Sequence, residues 1–155
     1  MTDTLYDEDF TLWTEAQAAA LRAEAARKRG SNAVDWENVA TEIEDMGKRD
    51  LKAAMSLCAR VLEHLFLLSA VTRAEPRGHW RKEVRTLRRD LRLELTPTIR
   101  KRVGEALDAL HIDAVAAVTD ELASVEPSAL PIDAARRWTL AEIAGEKNDP
   151  LDAMS

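Results

Sequence analysis

The strongest constraint in this sequence is the spacing of apolar residues between positions 36 and 69. Apolar side chains recur there at alternating steps of three and four residues, the period of an α-helix rather than of a strand. The stripe consists of Trp36, Val39/Ala40, Ile43, Met46/Gly47, Leu51, Ala54/Met55, Cys58, Val61/Leu62, Leu65 and Leu68/Ser69. With Asp35 as N-cap, such a helix would have about 37 residues and a length of about 55 Å. Because a domain of 155 residues is more compact than that, we expect a bend at Gly47, where helix propensity is low.

Similar stripes predict three further long helices. The first of them is expected to begin near Asp7 to Asp9 and to end near Arg29. The second extends from about His79 to Leu95, and the third extends from Pro97 to about Leu122. They are separated by Gly30-Ser31-Asn32, Glu75-Pro76-Arg77-Gly78 and Glu126 to Pro131. The Gly and Pro residues of these separators disfavour continuous helix.

The C-terminal residues carry shorter signals. Asp133 to Arg137 are predicted to form a single helical turn. Thr139-Leu140-Ala141-Glu142 has the pattern of a capping box, which predicts a short final helix. The residues around Asn148-Asp149-Pro150 are expected to fray.

These patterns predict an all-α fold, in one domain spanning residues 1–155. The chain has only five Gly and five Pro, too few for the turns of a many-stranded β fold, and 46% hydrophobic residues for a packed core. The expected architecture is a helical bundle of four main helices plus a short C-terminal helix. The side chains predicted to form its core are Trp13, Trp36, Ile43, Leu62, Leu65, Trp80, Leu87 and Leu107.

Composition and charge argue against several classes of protein. The net charge of −6 does not favour nonspecific binding to nucleic acid. Cys58 is the single cysteine, so it has no intrachain disulfide partner. The acidic start of the chain is unlike a secretory leader, and uninterrupted apolar runs such as residues 65–68 are far shorter than a membrane span. We therefore expect a cytoplasmic protein with no membrane association, no cofactor and no metal.

Several segments resemble one known family. They are Tyr6-Asp7-Glu8-Asp9-Phe10 with Trp13, Gln17-Ala18 and Leu21-Arg22, then Asp35-Trp36-Glu37-Asn38, Glu42 to Gly47, Leu62-Glu63-His64-Leu65, Trp80 and Trp138-Thr139-Leu140. Together they resemble a bacterial family known as domain of unknown function twenty-nine, over nearly the whole chain. Residues 25–34 depart from it, being longer and more basic than the usual connector. The resemblance implies an all-helical fold and no particular activity.

A polar cluster on the second predicted helix is the first candidate site. Asn38, Glu42 and Asp45 lie at helical spacing on one face, and His64 follows on the same helix. Carboxylates with a histidine can bind metal ions in helical bundles. However, His64 lacks the Glu-x-x-His pairing of di-metal sites, and carboxylates near a helix N-terminus also favour its positive end or pair with lysine and arginine. We expect a structural role for the cluster.

A basic stripe on the third predicted helix is the second candidate site. Residues 77–102 contain ten basic and three acidic side chains, a net charge of +7, so the rest of a chain whose total is −6 carries −13. The candidate anion- or partner-binding residues are Arg81, Arg85, Arg88, Arg89 and Arg92. Arginine suits forked recognition of carboxylate or phosphate. We expect Arg85 and one of its neighbours to pair with Glu42 or Asp45.

Three functions remain open from the sequence. The preferred one is a non-enzymatic protein-interaction module that binds either another protein or a second copy of itself, which would make a homodimer. The alternative is a nucleic-acid-associated protein that uses the arginine stripe, although that stripe lacks interleaved aromatic residues. The third is a metal-dependent enzyme built on Glu42, Asp45 and His64. The sequence leaves open whether the chain is an enzyme.

Overall fold

The computed structural model describes residues 2–28 and 30–154, and all regular structure in that part of the chain is helical. Seven helices follow one another there: α1 (Thr2–Glu8), α2 (Phe10–Ala26), α3 (Trp36–Ala70), α4 (Ala74–Glu94), α5 (Pro97–Val125), α6 (Leu140–Ile143) and α7 (Pro150–Ala153). Four of these are long, as the all-α prediction requires. Arg29, the expected end of the first long helix, lies outside the described residues.

α2 and the first half of α3 form an antiparallel helical hairpin. Small side chains lie between the two helices, with Thr14 and Ala18 of α2 buried, and Ala40 and Gly47 of α3 buried opposite them. A Cβ atom added to Gly47 would collide with the Thr14 hydroxyl. α3 is helical throughout this region. Gly47 therefore permits close packing of two helices. This packing explains the presence of a glycine at position 47, from which the sequence analysis expected a bend.

The hydrophobic core lies between the second half of α3, α4, α5 and the C-terminal segment. Its largest fully buried side chains are Phe66, Leu62, Leu65, Leu68, Leu91, Ile99, Ile143, His111, Val61, Val71, Val84 and Val103. Leu62, Leu65 and Leu87 are buried as predicted, while Trp80 and Leu107 are half-buried against this core. Trp13, Trp36 and Ile43 are also only half-buried, because the hairpin in which they lie has no second layer of helices over them.

One carboxylate caps two helices. Asp9 is 4% exposed, and its Oδ1 accepts a hydrogen bond from the Leu12 amide at 3.1 Å, as the N-cap of α2. Its Oδ2 accepts from the Thr98 amide at 2.8 Å, in the first turn of α5. The N-cap separates the short α1, which was not predicted, from α2, which corresponds to the first predicted helix. The same contact fixes the start of α5 beside the start of α2.

Two boundaries differ from the sequence prediction. α4 begins at Ala74, five residues before the predicted His79, because Pro76 lies in the first helical turn, where no amide donor is needed. The segment around Asp149 was expected to fray, yet Asp149 caps α7, whose Pro150 and Leu151 are buried. The capping box of Thr139 and Glu142 is confirmed. Residues 133–137 contain a turn rather than a helix.

α3 is also the helix, among those described, that is long and apolar enough to span a membrane by length and composition alone. Half of its most apolar stretch is buried inside the fold. The core helix of a soluble protein has the same property, so this is weak evidence for a membrane span.

Candidate functional site

The arginine side chains of α4 hold the C-terminal segment in place. Arg77 and Arg81 donate to backbone carbonyls of α7, with Arg81 Nη1 3.0 Å from the Leu151 oxygen and Arg77 bonded to the Met154 oxygen. Arg92 Nη1 donates to the Ala144 oxygen at 2.7 Å. Much of the predicted basic stripe is therefore an internal clamp.

Arg88 is the centre of this clamp and is only 3% exposed. Its Nε donates to the Ile143 carbonyl at 2.8 Å, its Nη2 donates to the Glu142 carbonyl at 3.0 Å, and its Nη1 lies 2.7 Å from Asp149 Oδ1. Gly145 follows α6 with φ of +69°, and a Cβ there would lie about 3.2 Å from the guanidinium. This left-handed glycine lets the backbone turn closely around a buried charge.

The predicted pairing of the arginine stripe with α3 carboxylates is wrong. Glu42 lies near Arg49, and Asp45 forms an ion pair with Lys48 at 3.2 Å, so both acids pair along their own helix. Arg89 lies beside Asp90, and Arg85 is exposed. The stripe docks within its own chain, but its acceptors are carbonyls of the C-terminal segment, which sequence charge does not reveal.

The four members of the candidate polar cluster are also separated. Asn38 donates to its N-cap neighbour Asp35 at 2.6 Å. His64 is nineteen positions after Asp45 in one helix, which corresponds to about 28 Å along the helix axis. Within residues 2–28 and 30–154, no group of three His, Cys, Asp or Glu side chains is arranged to hold a metal ion.

His64 instead joins α3 to α4. Its Nδ1 lies 2.7 Å from the Arg60 carbonyl and its Nε2 is bonded to Glu83 of α4. The other Glu83 oxygen is 3.3 Å from His79 Nε2. The hydrogen bond from His64 lowers the pKa of Glu83 below its ordinary value. Both ring nitrogens of His64 thus face oxygen atoms, and the imidazole links the Arg60 carbonyl of α3 to the Glu83 carboxylate of α4.

His111 is a buried polar residue that the sequence analysis did not single out. Its Nδ1 donates to the Leu107 carbonyl at 2.7 Å, and its Nε2 accepts a hydrogen bond from the Trp138 amide at 2.9 Å. Burial lowers the pKa of this imidazole. The neutral ring therefore attaches residue 138 to α5. Trp138 packs on Phe66 with ring centroids 4.9 Å apart.

Cys58 has no reactive environment. It is fully buried, and burial raises the pKa of its thiol to about 12. A thiol with that pKa is not a nucleophile near neutral pH.

The largest feature without an internal role is an apolar face on the helical hairpin. We define this face by Tyr6, Phe10, Trp13, Val39, Ile43 and Met46. The Tyr6 ring packs edge-on against Trp13 at 4.8 Å, and Phe10 stacks on Trp13 at 5.6 Å. Tyr6 and Met46 remain 49% and 44% exposed.

Helical geometry places these side chains on one side of the hairpin. Trp13 precedes the interface residue Thr14 by one position, and Met46 precedes Gly47 in the same way. Since the helices are antiparallel, residues preceding interface positions project to the same side. The opposite side is polar: Arg22 of α2 forms an ion pair with Glu44 of α3 at 3.1 Å.

α4 covers the continuation of this apolar face. Beyond Asp50, the same side of α3 reaches Leu57, which lines a groove with Leu87 and Glu83 of α4. Burial, and after it the charge of Asp50, raises the pKa of Glu94 at the C-terminal end of α4, which indicates that this end is within electrostatic reach of Asp50. Before Asp50 the apolar face has no helix over it in the part of the chain that the structure describes.

Comparison with known proteins agrees with this fold. The family model described as domain of unknown function DUF29 matches residues 5–146. The chain belongs to the DUF29 family. A search of curated proteins gives no match for this DUF29 chain.

A solved structure extends the comparison of the DUF29 fold. An α-helical protein of unknown function from Rhodospirillum rubrum, determined at 1.45 Å resolution, is 26% identical to this chain. The similarity covers 96% of this chain and 94% of that one, with a TM-score of 0.84. Both comparisons support the all-helical fold, and neither the family nor the Rhodospirillum rubrum protein is described with a function.

One sequence signal could have located the uncovered apolar face of the DUF29 chain. The apolar stripe of Val39, Ile43 and Met46 begins well before the region of α3 that α4 covers. The His111 contact with Trp138 joins residues 27 positions apart, and no local pattern predicts it.

Proposed function

We propose that this protein is a non-enzymatic protein-interaction module that binds a helical partner through the apolar face of its α2–α3 hairpin. The observation that supports the proposal is the aromatic and aliphatic surface formed by the exposed Tyr6, Val39 and Met46 together with the half-buried Trp13 and Ile43. Soluble proteins seldom expose a contiguous surface of this kind unless a partner covers it.

The expected partner is helical because of the shape of the uncovered surface. Two antiparallel helices form one layer, and a stable helical bundle needs a second layer against their apolar side. α4 provides that layer for the second half of α3, and a helix from another molecule would continue it along Val39, Ile43 and Met46. The site is thus half of a four-helix arrangement.

The alternatives receive less support. A nucleic-acid interface would use the arginine stripe as a whole, whereas Arg88 is 3% exposed and Arg81 and Arg92 donate to backbone carbonyls, so only part of the stripe is accessible. A metal-dependent enzyme would need Glu42, Asp45 and His64 to converge, and each has another partner. We also propose a cytoplasmic location, in line with the burial of half of the most apolar stretch of α3 inside the fold.

Site-specific photo-crosslinking in cells that make the protein tests this function. A photoreactive phenylalanine derivative at position 46 should give defined adducts, identified by mass spectrometry, with a helical segment of the partner at the crosslinked site. The matched control is position 41, where Thr41 is exposed on the polar side of α3. Equal adducts at both positions, or none at position 46, would refute the proposed interface.

A further inference from the structure

We infer that the partner of the apolar face is a second copy of this chain, bound antiparallel about a two-fold axis near Ile43. This inference rests on the proposed function and names its partner. In a two-fold interface the same surface is used by both copies, so each contact occurs twice. The sequence and charges of the hairpin fit that requirement.

The apolar contacts are self-complementary. Ile43 is midway between Trp36, where α3 begins, and Asp50, where α4 starts to cover it. A two-fold axis at Ile43 brings Ile43 against its counterpart in the partner subunit. It also brings Val39 level with the partner's Met46, and Met46 level with the partner's Val39, because these residues are nearly equidistant from the axis. Every exposed apolar side chain of α3 on this face then meets another.

The charges are complementary in the same arrangement. At the base of the hairpin, Glu94 is half-buried within electrostatic reach of Asp50, and neither carboxylate forms an ion pair within residues 2–28 and 30–154. At its tip, Lys28 is exposed and likewise has no ion pair there. The antiparallel arrangement places the tip of one copy beside the base of the other. Lys28 would then supply the cation that two neighbouring carboxylates lack.

Sedimentation equilibrium of the purified protein tests the pairing. Each chain has a mass of 17.3 kDa, and we expect twice that mass at about 100 µM chain, with dissociation on dilution. Met46→Glu should weaken the dimer at least about a hundredfold, since it buries two unpaired carboxylates at the interface. Thr41→Glu adds the same charge on the polar side and should leave the dimer unchanged.

A charge exchange tests the orientation. Lys28→Glu and Asp50→Lys should each weaken self-association at least about tenfold, because each places like charges together twice. Mixing the two variants should restore wild-type affinity, since both contacts become complementary. Circular dichroism of each variant verifies that it is folded.

The results separate this inference from the proposed function. A wild-type monomer at about 100 µM, a dimer insensitive to Met46→Glu, or no recovery on mixing would overturn the antiparallel dimer. If the purified protein is monomeric while position 46 still crosslinks to another protein in cells, the interaction function stands and self-association is wrong. If position 46 gives no adduct and the protein is monomeric, both are wrong.

Discussion

Replacing Arg88 with alanine removes the centre of the clamp that attaches the C-terminal segment to α4. The side chain is 3% exposed, and three acceptors depend on it: the carbonyls of Ile143 and Glu142 and the carboxylate of Asp149. Losing one partner of a buried ion pair costs about 3–5 kcal/mol. Each carbonyl left without a donor adds about 1–3 kcal/mol, unless water replaces the arginine.

We expect Arg88→Ala to lower the free energy of unfolding by about 3–5 kcal/mol, since water admitted by the truncation should offset the carbonyl cost. For a protein of this size, that loss lowers the melting temperature by about 6–20 °C. Urea denaturation followed by tryptophan fluorescence measures the loss, with a constant m-value showing that the unfolded state is unchanged.

Arg85→Ala is the matched control, because Arg85 is an exposed arginine of the same helix. Its loss should change stability by less than about 0.5 kcal/mol. Arg88→Lys should recover little, since an ammonium group lacks the planar fork that reaches three acceptors. If Arg88→Ala costs less than about 1 kcal/mol, or no more than Arg85→Ala, the clamp does not hold the segment as argued.

Three further predictions concern packing and protonation. Gly47→Ala should destabilise the protein by about 1–3 kcal/mol in a urea titration, because the added methyl group collides with Thr14. As a control, Gly104→Ala lies at a helical position with open space and should stabilise the protein by about 0.5–1 kcal/mol. A stabilising Gly47→Ala would contradict the close packing of α2 on α3. Because the pKa of His111 is lowered in the folded protein, its contribution to stability should be complete above the unfolded pKa of about 6.5 and be lost as the pH falls through the folded pKa. Urea midpoints between pH 8 and pH 5 should therefore fall more steeply for wild type than for His111→Asn, and parallel curves would show that His111 is not the titrating group. Leu65→Ala should cost about 2–5 kcal/mol, since Leu65 is fully buried, and a loss below about 0.5 kcal/mol in chemical denaturation would contradict its core position.

The sequence predicted the helices well because their signals are local. Asp35 caps α3 and α5 begins at Pro97 as expected, and the Thr139 capping box opens α6. The start of α4 was misjudged because Pro76 looks like a helix breaker in sequence but lies where a proline is tolerated. Caps and apolar periodicity thus predict that a helix forms, but they do not give the residue at which its first turn begins.

The partners of the charged residues could not be predicted in the same way. Arg85 and at least one of Arg81, Arg88 and Arg89 were expected to meet α3 carboxylates because the two helices carry opposite local charge. Instead, two of the three acceptors of Arg88 are backbone carbonyls. A carbonyl is present at every position, so composition gives no indication of which one an arginine will reach. The Asp149 contact required α7 to be ordered, and the sequence analysis expected that segment to fray.

The half-buried tryptophan and isoleucine of the hairpin show where a periodic pattern stops being informative. Trp13 and Ile43 lie on apolar stripes as regular as the one that buries Leu65, and the period indicates equally that each stripe needs a covering surface. It does not indicate whether that surface belongs to the same chain. α4 covers the apolar stripe of α3 after Asp50. Before Asp50 the stripe includes Val39 and Met46, which remain exposed. The apolar stripe of α3 extends beyond the part that α4 covers, and this is the physical basis for expecting a partner.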